Sequence, residues 1–431
     1  MHSLFRSAVL SAVVVTSAVA QSTPVAAAAR GVPPTPITIR TARILDGSGH
    51  VLHNMDIVIE NGRIARLAPS TGALPPGAID LRTRTVLPGL IDTHVHLGWY
   101  INDKGRLHAN GDGDTPAIAS LNQAGNAWAT LHAGFTTVQS VGEPENGPLR
   151  DAINRGVIPG PRVLTSLGSL NETTKGGSPD SLRASVRQFK SRGADLIKIF
   201  ASKSIRDGGE ATMTDEQLVA ACGEAKSIGL RTLVHAHSAE SVQRAARAGC
   251  TQVEHGVFAD DATRALLVSR GTFFDPQCGL VFHNYLDNKP WFDGIGNYNA
   301  VGFASMEKAL PLAESGIGSA SRTANLKLVF GTDAVAGAHG RNAEELVCRV
   351  RKGGQSATDA IVSATSRAAE SMALGNEIGR IAVGFAADII ATNGDPSVEI
   401  EATQRVSFVM RSGIVYRNDA ATQASMRQAR K

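Results

Sequence analysis

Two hydrophobic rhythms divide this chain. Near both ends, apolar and polar residues trade places at every second position in short runs. They cover residues 37–40, 42–45, 56–60, 63–67 and 78–82 at one end, and 387–391, 406–411 and 414–416 at the other. A period of two turns one face of a strand toward a core and the other toward water. Asn61-Gly62 and Ser412-Gly413 lie between such runs and predict hairpin turns. The pattern is missing in between. We therefore expect residues 36–86 and 379–418 to assemble as one small β-sandwich built from both termini.

Residues 87–378 read differently. Strand-like runs recur eight times, in 86–97, 136–141, 162–167, 196–200, 231–237, 252–256, 272–276 and 326–333. Amphipathic stretches such as 215–228 and 239–248 separate them, and Thr214 stands where a helix N-cap belongs, with Gln217 three residues on. Eight β–α units predict an α/β fold, the (β/α)8 TIM barrel, whose active site lies at the C-terminal strand ends. Polar groups recur at those ends. The first run closes on His94-Val-His96, whose imidazoles share a face, and Asp92 has the same parity. Lys198 interrupts an apolar fourth run, where a charged amine is costly to bury. His235 and His237 end the fifth run, His255 the sixth and Asp333 the eighth. Imidazole and carboxylate are ordinary Zn²⁺ ligands. A buried neutral amine can also take up CO₂ as a carbamate, whose two oxygens can bridge two metals. Further candidates for substrate contact are His339 in a glycine-rich loop, His283 and Tyr285 after the seventh run, and Lys203 and Arg206 after the fourth.

Composition narrows the class. The 431 residues, 42% hydrophobic and 19% charged, suit a soluble barrel-sized domain with a smaller companion. The net charge of +4 is not gathered into a basic run, so no nucleic-acid partner is expected. Residues 1–20 read as a secretory signal peptide: a basic start through Arg6, an apolar core too short to span a bilayer, and Ala18-Val-Ala20 as the cleavage pattern. No other run is long and apolar enough for a membrane helix. The expected location is periplasmic or secreted, without a membrane partner. Residues 21–35 read as a linker and 419–431 as a tail. Cys222, Cys250, Cys278 and Cys348 match no zinc-ribbon spacing. We expect free, buried thiols, with a Cys222–Cys250 bridge as the alternative.

Several motifs then point to one family. They are Pro88-Gly-Leu-Ile-Asp-Thr-His-Val-His96, Ile197-Lys-Ile199, His235-Ala-His237, Val253-Glu-His-Gly256, Gly331-Thr-Asp-Ala334 and Gly384-Phe-Ala-Ala-Asp-Ile389. With the split terminal β-domain, they resemble the amidohydrolase superfamily in its two-metal form with a carboxylated lysine. The closer likeness is to the secreted imidazolonepropionase-like, prolidase-like and ochratoxin-hydrolysing branch. The resemblance implies two divalent ions, with zinc expected. His94, His96 and Asp333 would hold one, His235 and His255 the other, and carboxylated Lys198 would bridge them. A metal-bridging hydroxide would cleave the amide of a small dipeptide or N-acyl amino acid, ochratoxin A among them, and release a C-terminal amino acid. Asp333 would take the proton of the attacking water. His237 could replace His235 as ligand. The family pattern uses the first histidine, which leaves His237 to support the site or contact substrate. A homo-oligomer is expected by the same analogy.

Alternatives are a lactonase, phosphotriesterase or cyclic-amide hydrolase on the same site, or a metal-holding barrel without chemistry. The chain departs from the family pattern at Gln139 and Ser140, where relatives often carry Arg-Asp. It departs again at Asp275-Pro-Gln-Cys278 and in the loop 171–179, which lacks Gly-Gly-His.

Overall fold

The computed structural model describes residues 36–420. The expected signal peptide, the linker and the tail beyond residue 420 lie outside the described residues.

Seventeen strands form three sheets among the described residues. The first five are β1 (Ile37–Leu45), β2 (Val51–Glu60), β3 (Arg63–Pro69), β4 (Ile79–Asp80) and β5 (Thr85–Pro88). The central ones are β6 (Leu90–Val95), β7 (Phe135–Ser140), β8 (Arg162–Thr165), β9 (Ser169–Leu170), β10 (Leu196–Phe200), β11 (Arg231–Ala236), β12 (Gln252–His255), β13 (Phe273–Asp275) and β14 (Lys327–Leu328). The last three are β15 (Ile389–Thr392), β16 (Val406–Arg411) and β17 (Ile414–Asn418).

Strands from both termini join in one sheet, ordered β17-β16-β15-β5-β1-β2-β3, with β4 beside β1. The antiparallel pairing of β5 with β15 joins the two ends of the chain. The sandwich read from the sequence is thus hydrogen-bonded throughout as a single eight-stranded sheet. Its apolar side chains, among them Ile39, Ile57, Ile64, Val86, Ile389 and Phe408, share one cluster. Both predicted hairpin turns are present. Asn61 and Gly62 have φ of 51° and 76°, and Ser412 and Gly413 have 49° and 78°. Two consecutive positive φ values make the turn whose twist matches that of the flanking strands.

The eight central runs all become strands, parallel within two sheets, β6-β7-β8 and β9-β10-β11-β12-β13-β14. Helices follow most of them. Thr214 caps the helix Asp215–Ser227 in a reciprocal box with Gln217, as its spacing predicts. The eighth run differs from expectation. Only Lys327–Leu328 pairs with β13, while the residues after it bond to β6, through Thr93 N–H to Phe330 O (2.9 Å) and Asp333 N–H to His94 O (2.8 Å). That crossing brings Asp333 beside the first histidine pair.

The cysteines correct the sequence reading. Cys222 is bonded to Cys250 and Cys278 to Cys348, and no free thiol remains. Cys222 lies on the helix Asp215–Ser227 and Cys250 just beyond the neighbouring helix Ala239–Arg247, with Cα atoms 5.1 Å apart. That spacing is within bridging range. The second pair joins the segment after β13 to the helix Ala343–Arg351 across 70 residues, a separation that sequence gives no means to match.

Candidate active site

Strand ends supply the site. His94 and His96 leave β6 on one face, Lys198 projects from the middle of β10, His235 from β11 and His255 from the end of β12. All are buried, as is His237. Asp333 is half-buried among them. His255 and Asp333 have φ of 68° and 53°. Side chains other than glycine seldom adopt this region, and such strain concentrates where function requires it.

Two donor groups form. His94, His96 and Asp333 make the first; His235, His237 and His255 make the second, each group with ligand atoms within 4.8 Å of one another. Asp333 Oδ1 lies 3.3 Å from His94 Nε2 and 3.1 Å from His96 Nε2. The ring centroids of the second group are 4.5–4.6 Å apart. The groups adjoin, with the His94 and His255 rings 5.4 Å apart. Lys198 Nζ stands 2.9 Å from His94 Nε2 and 5.3 Å from the Phe200 ring.

Electrostatics favour the metal-binding forms of most of these groups. Burial, reinforced by the Lys198 amine, holds His94 neutral. Burial, and then the neighbouring His237, do the same for His235 and His255, and burial lowers His237 to about 3. A neutral imidazole offers a lone pair. Burial also lowers the Lys198 amine, against the pull of Glu254 and Asp333, which favours the neutral amine that carbamate formation needs. His96 is the exception. Burial opposes its charge, but Glu143 and then Asp333 outweigh it and raise its pKa to about 9. Crowded neutral imidazoles beside a carboxylate are a donor set that fits divalent cations.

Two carboxylates back the first pair, and neither was singled out from the sequence. Glu254 Oε2 lies 3.0 Å from His94 Nδ1, and Glu143 Oε1 lies 3.0 Å from His96 Nδ1. Glu254 belongs to the Val253-Glu-His-Gly256 motif, so that motif holds the signal. Glu143 lies three residues past Ser140 with no pattern to mark it. Asp92, despite its parity, joins no ligand group. It accepts from Thr332 Oγ1 and Asn342 Nδ2, both at 2.7 Å, and from the His94 amide at 3.1 Å. It thereby ties β6 to the segment carrying Asp333.

A cavity of about 150 Å³ opens onto the cluster. Arg206 and Tyr285 line it, as their positions suggested, together with Trp99, Phe200, Tyr298 and Met306, which the sequence did not mark. Arg206 lies 4.0 Å from the Tyr298 ring centroid and 5.6 Å from that of Tyr285, and its Nε donates to Asn297 at 2.6 Å. The structure does not bring the other candidates into this wall. His283 is exposed on the outer side of the helix Leu280–Asp287. Lys203 pairs with Glu210 at 2.8 Å, half-exposed. His339 donates from Nε2 to the His96 carbonyl at 3.1 Å, so it braces the backbone at the end of β6 and does not line the cavity.

A carboxylate, an amine and five imidazoles around one cavity at the strand ends of an α/β fold define a class: a hydrolase whose donors suit divalent metals. The chain belongs to the amidohydrolase family, which it matches over residues 85–417. That family generally uses a binuclear metal site and folds as a TIM barrel with an additional domain. The ochratoxinase of Aspergillus niger is 25% identical over 425 residues, spanning 87% of this chain and 85% of that protein. A solved Xaa-Pro dipeptidase with bound methionine in its active site superposes with a TM-score of 0.79 at 29% identity, covering 89% of this chain and 100% of that one. A putative prolidase from Bifidobacterium longum gives 0.75 at 27%, covering 92% and 100%. These likenesses make the protein a hydrolase acting on C–N bonds.

Proposed function

We propose that this protein hydrolyses the amide bond of a dipeptide or N-acyl amino acid and releases the C-terminal amino acid. The observation that carries the reading is the cation beside the donor cluster. Arg206 shares the cavity with the histidines, held between two tyrosines and Asn297. Its surroundings there are largely apolar, including Val281, Phe282 and Met306. A guanidinium so placed suits a free carboxylate, with the apolar wall taking the side chain. The names of the relatives, ochratoxinase and Xaa-Pro dipeptidase, support the same substrate class.

His94, His96 and Asp333 would hold one divalent ion and His235 and His255 the other, with Lys198 as carbamate between them and zinc as the metal. Bound there, the ions supply Lewis acidity toward the scissile carbonyl and the attacking water. Asp333 accepts that water's proton on its carboxylate and returns it to the leaving amine. Arg206 holds the substrate carboxylate, and the aromatic wall excludes bulk water. The strands of the eight central runs close as a barrel, which gathers these groups at one mouth. Export to an oxidising compartment agrees with residues 1–20 and with the two disulfides. We also propose that the enzyme works as a homo-oligomer on small molecules alone.

The test is amino-acid release by zinc-loaded protein from Xaa-Pro and Xaa-Arg dipeptides, N-acyl-phenylalanines and ochratoxin A. Release from any of these supports the reading. Turnover of lactones or cyclic amides, with none of these substrates cleaved, replaces it.

A further inference from the structure

We propose that Glu143 is a positioning residue for the metal centre: it fixes the ring orientation of His96 and ties that ligand to the cavity wall at Trp99. The inference rests on the metal-dependent reading of the site given above. Glu143 sits in the segment between β7 and the helix Asn146–Asn154. Its Oε1 accepts from His96 Nδ1 and from Trp99 Nε1, each at 3.0 Å, and its Oε2 accepts from Asn146 Nδ2 at 2.8 Å. Three donors thus converge on one carboxylate whose side chain is 18% exposed. On the other side of the ring, His96 Nε2 faces Asp333 Oδ1 at 3.1 Å.

An imidazole whose Nδ1 proton is committed to a carboxylate carries its lone pair on Nε2. Flipping the ring would leave Glu143 facing carbon. The local backbone is shaped for this contact. A Cβ at Gly98 would come 2.9 Å from Glu143 Cγ, so position 98 stays bare to let the carboxylate in. Gly142 has φ of 105°, a conformation that side chains avoid, in the turn that delivers Glu143. Trp99 lines the cavity, with its ring 5.6 Å from that of His96. Glu143 therefore sets a metal ligand and a substrate-facing wall through one oxygen.

The test compares zinc content and zinc affinity, by chelator competition, in wild-type protein, E143A and E143Q. Loss of an outer partner typically weakens metal binding about 10- to 100-fold, and E143A is expected to show that loss for one of two ions. E143Q is expected to fall between E143A and wild type. Its amide oxygen still accepts from His96 and Trp99, and its NH₂ can meet Asn146 once that amide turns its otherwise unpartnered Oδ1 inward. What it loses is the charge. Wild-type affinity in both variants overturns the proposal. If E143A does not fold, wild-type affinity in E143Q alone overturns it. A wild-type protein that takes up no zinc overturns the metal-dependent reading itself, before any substitution is compared.

Discussion

His94 and His96 each have a carboxylate behind them, while His235, His237 and His255 have none among the described residues. In the first pair, Glu143 accepts from His96 Nδ1, Glu254 Oε2 stands 3.0 Å from His94 Nδ1 without completing a hydrogen bond, and both Nε2 atoms face Asp333. In the trio, His235 Nε2 meets only the Lys203 carbonyl at 3.3 Å, and His237 Nδ1 lacks a hydrogen-bond partner. The trio is held by ring packing instead, with His237 stacked on His255. Carboxylates flank one half of the site, and neighbouring rings and a backbone carbonyl flank the other. The first half should therefore respond to loss of charge, and the second to loss of volume. Lys198 belongs to both, since it touches His94 and its amine weighs on His235 and His255.

The sharpest break in this comparison is Asp333→Asn. It keeps the shape of the charged half and removes its base, so turnover should fall about 10²- to 10⁴-fold with the far-ultraviolet circular dichroism unchanged. Wild-type turnover would sink Asp333 as the proton acceptor. Next comes the choice within the trio. His235→Ala should lose one zinc equivalent by elemental analysis, whereas His237→Ala should keep both and lose part of its activity. The reverse result would reassign the ligand to His237. Arg206→Met should raise KM for a substrate with a free carboxylate by about 10- to 100-fold, the worth of a charged hydrogen bond. It should leave KM for the corresponding C-terminal amide nearly unchanged, and an equal effect on both would remove Arg206 as the carboxylate anchor. The smallest effects belong outside the cavity. His283→Ala and Lys203→Ala should each stay within about twofold of wild type in kcat/KM, as solvent-exposed substitutions usually do.

Much of this site was legible because it lies at strand ends. His94, His96, Lys198, His235, His255 and Asp333 each interrupt or close an apolar run, and strand periodicity with the barrel rule sends such groups to one mouth. Substrate contacts were harder to read. His283 and Tyr285 sit two residues apart on what the structure makes a helix, Leu280–Asp287, so they face different ways. Only Tyr285 reaches the cavity. Tyr298 and Met306 come from the long insertion after β13, where no strand rule applies.

By itself, the sequence determined the alternation of strands and helices, both hairpin turns, the capped helix and which histidines stand with Lys198 and Asp333 at the strand ends. All of these depend on short-range periodicity or on motifs a few residues long. Only the tertiary structure decided which cysteines pair, that Glu143 and Glu254 stand behind the histidines, and that His339 braces a backbone carbonyl rather than the cavity. Those contacts join residues 47, 160 and 243 positions apart. Such partners are chosen by how sheets and helices pack in space, and no local pattern in the chain records that choice.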